Sequence, residues 1–122
     1  MADFSIPIVS LGQAAFKLNS AATTNSTLVK GAPGQVFRIT ASNINAAIRY
    51  LKLYDKATAP TVGTDTPILT LAIPLTGFIH LDLSTCPIQF ANGIGIGITT
   101  AATDADTTAT AANEQKILIG FV

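Results

Sequence analysis

The chain has 122 residues, 48% of them hydrophobic and only 11% charged, with seven basic and seven acidic side chains and a net charge of zero. An average soluble domain carries about 25% charged residues, so an unusual share of this surface is neutral, and a net charge near zero removes the repulsion that keeps small proteins apart. The length suits one domain with one core, and a pI near 6.5 without a dense basic and aromatic stripe argues against direct nucleic-acid binding.

The first residues, Met1-Ala-Asp-Phe, lack a basic segment followed by an apolar run, so no secretory signal is expected. No stretch approaches the roughly 18 apolar residues of a membrane span. Pro7 interrupts an alternation of Phe4, Ile6 and Ile8. Proline cannot donate to a strand ladder, so residues 1–12 are expected to form an N-terminal edge strand or an extended arm that reaches a neighbouring subunit.

From there on the apolar residues follow period two rather than 3.6, the mark of half-buried strands. Strands are predicted at 13–18, 27–30, 35–42, 46–54, 67–73, 78–83, 87–91, 94–99 and 115–122. Phe37, Ile39 and Ala41 are expected on one face of the third, with Val36, Arg38 and Thr40 on the other. Ile79, Leu81 and Leu83 of the sixth oppose Phe78, His80 and Asp82. The punctuation between runs, Gly31-Ala-Pro33-Gly34, Ala59-Pro60, Pro74 with Gly77, Pro87 and Asn92-Gly93, is that of many short strands. The fold class is therefore all-β: an antiparallel β-sandwich over 13–122, jelly-roll-like.

Residues 99–113, TTAATDADTTATAAN, hold no large apolar side chain. Such a segment buries too little surface to offset its ordering entropy, which predicts a solvated, mobile loop. In Gly93-Ile-Gly-Ile-Gly97 the glycines Gly93, Gly95 and Gly97 share one strand face and the isoleucines the other. A face without side chains invites close approach, either from within the chain or from a neighbouring subunit.

No catalytic or metal constellation emerges. His80 is the single histidine, and its neighbour Asp82 lacks the nucleophile elbow that would complete a triad. Cys86, the single cysteine, has no disulfide partner and no local cation to activate it. Asp104-Ala-Asp106 lacks the later glycine and glutamate of a calcium loop. Asn25-Ser-Thr27 fits the glycosylation pattern, but is most simply a turn. The expectation is a protein without enzymatic activity or cofactor.

Charge is distributed unevenly along the chain. From Lys17 to Lys56 the chain carries Lys17, Lys30, Arg38, Arg49, Lys52 and Lys56 against Asp55 alone, whereas residues 57–122 hold five acids and Lys116. One reading is scatter over separate strands; the other is a basic face that meets an acidic partner or the acidic half of another copy. Candidate interface residues are Phe4, Ile6, Ile8, Arg49, Tyr50, Lys52, Tyr54 and the three glycines.

The stretch Ile48 to Pro67, IRYLKLYDKATAPTVGTDTP, reads as a strand with Tyr50, Lys52 and Tyr54 on one face, running into a Pro/Gly loop. It resembles a segment of small virion proteins of tailed bacteriophages, in which a similar string follows an Asn-x-Thr-x-Val-Lys strand, here Asn25 to Lys30. A Gly-Ile-x-Ile run then precedes an Ala/Thr/Asp loop, here from Gly95 onward. The likeness spans roughly residues 20–122 and implies a head decoration (cement) protein, made in the host bacterial cytoplasm and carried on the capsid surface of the virion. It further implies a homo-oligomer, a trimer on threefold positions, that clips capsomers of the major capsid protein together without membrane contact. The alternative is a tail, fibre or baseplate module that binds host-surface carbohydrate through a Tyr50 and Tyr54 platform.

Overall fold

The computed structural model describes residues 13–122, and the candidate residues Phe4, Ile6 and Ile8 lie outside them. Nine strands follow in chain order: β1 (Ala14–Asn19), β2 (Thr27–Lys30), β3 (Gly34–Asn43), β4 (Arg49–Asp55), β5 (Leu69–Ile73), β6 (Gly77–Asp82), β7 (Ile88–Phe90), β8 (Ile94–Thr99) and β9 (Gln115–Phe121). They form two antiparallel sheets. One has five strands in the order β1-β9-β3-β6, with β7 paired to the start of β3; the other runs β2-β8-β4-β5.

The sheets close on each other through their alternate residues. Val36, Ile39, Ala41, Ile117 and Ile119 of the five-stranded sheet meet Leu51, Leu53, Ile73, Ile94, Ile96 and Ile98 of the four-stranded one, and all are buried. Each of the Val, Leu and Ile side chains removed from water contributes about 1.5–3 kcal/mol. This is the jelly-roll-like β-sandwich that period-two patterning predicts, because a sheet with one apolar face has no stable solution except another sheet or a helix against it.

Two local expectations change and one holds. The fourth strand begins at Arg49 rather than 46, because residues 44–48 form a loop. In β3 the pairing with β9 shifts between Val36 and Arg38. This bulge turns Val36 into the core and leaves Phe37 on the outer side against Gly120, reversing the face assignment that strict alternation gives for these two residues. Asn25 adopts a left-handed φ of 54°. Its amide donates to the carbonyls of Ala21 at 3.1 Å and Thr23 at 2.9 Å, so it is a buried turn residue, as the turn reading has it.

Candidate interaction surface

The outer faces of the two sheets differ. On the four-stranded sheet, β8 is buried on both sides along its whole length; loop 56–66 lies over its glycine face, and loop 100–113 reaches Lys52 of the neighbouring β4. A Cβ on Gly95 would lie 2.9 Å from Pro60 Cδ, one on Gly97 2.7 Å from Val62 Cγ2, and one on Gly93 2.4 Å from the Lys56 carbonyl oxygen. The close approach that bare glycines invite is thus made by the chain itself. The two loops also meet each other, since a Cβ on Gly63 would fall 2.3 Å from Thr107 Cγ2.

Under this cover lie two of the candidate interface side chains, and the expectation that they are surface groups is corrected. Lys52 is 0% exposed, and its ammonium donates to the Thr103 carbonyl oxygen at 2.6 Å. Burial pushes its pKa down, while the carboxylates of Asp106 and Asp104 pull it back up. Tyr54 is equally buried, with no hydrogen-bond partner for its hydroxyl among the described residues. Burial, then the fields of Asp65 and Asp104, push that hydroxyl up to about 12. A carbohydrate platform of Tyr50 and Tyr54 needs both rings at the surface, and only Tyr50 is partly exposed.

The mobile loop of the sequence reading is likewise anchored. Thr100 N–H donates to the Thr108 carbonyl, Asp106 accepts from the amides of Ala101 and Thr108, and Thr110 is buried with its hydroxyl on Gln115. Polar backbone bonding holds this segment where apolar anchors are absent. Arg49 projects on the opposite side of β4 from Lys52, so the two do not form one basic face; its guanidinium donates to the Ile48 carbonyl at 3.0 Å.

At one end of the sandwich the loops 44–48 and 74–76 are bound to each other. Asn43 is buried, and its amide donates to the carbonyls of Ala47, Ile73 and Pro74. Its Oδ1 accepts from Asn45 N–H and from the buried Gln115 amide at 2.8 Å. Thr76 N–H donates to the Asn45 carbonyl at 2.9 Å, with Thr76 at a φ of 46°. These braced tips hold Ile44 at 70% exposure, Leu75 at 52% and Ile48 at 39%. Fully satisfied buried networks of this kind fix geometry, so the apolar tips are presented rigidly.

No described residues outside the sheet lie over the outer face of the five-stranded sheet. Strand register sets three rows across it: Asn19, Lys116, Ser42 and Phe78; then Lys17, Leu118, Thr40 and His80; then Ala15, Gly120, Arg38 and Asp82. Phe78 is 68% exposed, and Thr40 Oγ1 lies 2.9 Å from His80 Nδ1. Two shallow hollows flank Leu118, one of about 340 Å³ bounded by Phe37 and Arg38, the other of about 230 Å³ bounded by Lys17 and Lys116. Sequence reasoning did not single out Leu118, Phe78 or the loop residues as interface. The available signal was a large apolar side chain on the polar phase of a strand or in a turn.

Neither a protein-family model nor a curated protein matches the chain. Among solved structures it is similar to the Tobacco streak virus coat protein, at 12% identity and a TM-score of 0.42, over 93% of this chain and 88% of that one.

Proposed function

We propose that the chain is a non-enzymatic structural component of a tailed-phage particle, a head decoration (cement) protein. It assembles with copies of itself as a symmetric trimer and binds between subunits of the major capsid protein on the capsid surface. The observation that carries the self-assembly reading is the braced pair of loops bearing exposed Ile44, Leu75 and Ile48. Rigid, exposed apolar groups on a chain of zero net charge are an aggregation hazard unless a closed, symmetric contact covers them. The Ile48 to Pro67 resemblance supports the phage assignment.

Light scattering on the purified protein tests it. The wild-type chain is expected to sediment and scatter as an oligomer, and Ile44→Ser with Leu75→Ser to yield a monomer with an unchanged melting temperature. A wild-type monomer at assembly concentrations sinks the proposal, and a dimer removes the threefold seat.

A further inference from the structure

We infer that the outer face of the five-stranded sheet, which no described loop covers, docks an acidic protein surface carried by a different polypeptide, not by a second copy of this chain. The inference rests on the proposed assembly role only in taking the partner to be a protein. Its own basis is the distribution of charge over the fold.

Lys17, Lys116 and Arg38 stand on this face, and the single acid among its three rows, Asp82, lies opposite Arg38 and accepts from Ser84. Each hollow beside Leu118 combines apolar wall with a cation at its rim: Arg38 at one, Lys17 and Lys116 at the other. A carboxylate entering either hollow meets a cation, and the apolar part of its side chain meets Leu118. Complementary charge of this kind sets which partner docks and how fast.

A second copy is a poor match. Face-to-face pairing opposes like charges. Among the described residues four further acids are already engaged: Asp55 accepts from the amides of Ala91, Asn92 and Gly93, Asp65 from Lys56 at 2.6 Å, Asp106 from its own loop, and Glu114 from Asn45 at 2.5 Å. Only Asp104 has no hydrogen-bond partner among the described residues. Nucleic acid is also disfavoured, since a phosphate-binding surface needs many cations and this one interposes Phe78 and Leu118.

Two arms test the inference. In the first, NMR shifts are followed on adding poly-L-glutamate or duplex DNA. Shifts confined to Leu118, Thr40, His80 and their neighbours with poly-L-glutamate are expected; scattered shifts, or tighter binding of DNA, overturn it. In the second, heads of the phage encoding the chain, assembled without it, are titrated with wild type, Lys17→Glu with Lys116→Glu, Leu118→Ser, and Lys30→Glu as a control. Affinity is expected to fall about tenfold or more for the first two variants and from about 50 to about 500 mM salt, with the control and the oligomeric state unchanged. Heads that bind wild type and the charge-reversed variant equally overturn the docking face and leave the decoration role standing. Heads that bind neither, with the poly-L-glutamate shifts on the face, remove the phage-head role and leave the face standing. Loss of the oligomer on Lys17→Glu with Lys116→Glu identifies a second copy as occupant and overturns the inference.

Discussion

The ammonium of Lys52, on the middle of β4, is held by the carbonyl oxygen of Thr103 at 2.6 Å. This one bond joins the four-stranded sheet to the loop above it, and it makes a long charged side chain part of the interior. Lys52→Met keeps the apolar stem and loses the bond, at an expected cost of about 1–2 kcal/mol in urea denaturation, with faster proteolysis in 100–113. Lys52→Glu buries a carboxylate beside Asp104 and Asp106 and is expected to cost about 3–5 kcal/mol. A Lys52→Glu protein that melts with wild type would show the loop to be open.

The glycines of β8 are expected to rank by what faces them. A Cβ at Gly93 meets backbone oxygens of Lys56 and Lys30 at 2.4 and 2.7 Å, whereas one at Gly97 meets the Val62 side chain at 2.7 Å. Backbone yields less readily than a side chain, so Gly93→Ala should lower the melting temperature more than Gly97→Ala, with overpacking costs of about 1–3 kcal/mol. Equal melting temperatures would refute the ordering.

Asp55 makes stability depend on acid. The Asn92 amide chiefly, with those of Ala91 and Gly93, holds its carboxyl below the usual 3.8 against an opposing desolvation effect. A folded pKa below the unfolded one means that the stabilisation is complete above about pH 3.8 and disappears as pH falls through the lower, folded value. Asp55→Asn should therefore cost about 1 kcal/mol at neutral pH, solvent screening keeping it modest. The gap to wild type should close in strong acid, as denaturation across pH would record.

Thr76 carries a β-branched side chain at a φ of 46°. Left-handed backbone costs such a residue about 1–2 kcal/mol. Asparagine tolerates the conformation, as Asn25 and Asn113 do here at 54° and 61°. Thr76→Asn is expected to raise stability by about 0.5–1 kcal/mol without changing the Asn45 contact. A lower melting temperature would show that the Thr76 side chain contributes more than its strain removes.

Strand number, strand phase and most turns were legible in the chain. Ile94, Ile96 and Ile98 point one way and the three glycines the other, and the structure keeps both sets. The candidate site was less legible. Alternation correctly puts Tyr50, Lys52 and Tyr54 on one face of β4 but carries no information about what lies beyond that face. An uncovered face and a face under two loops have the same local pattern.

What the sequence by itself determined, then, was the two-sided strand, because side-chain direction alternates with every residue whatever the strand pairs with. Tertiary structure decided the rest. The bulge after Val36 depends on the ladder with β9, and the braced tips depend on Asn43 reaching Gln115 across 72 positions of chain. Above all, loop 56–66 descends on the glycine face of β8 and loop 100–113 reaches over to Lys52, while no described loop crosses Leu118. Contacts between residues far apart in the chain make that choice, and a pattern that repeats every two residues cannot encode it.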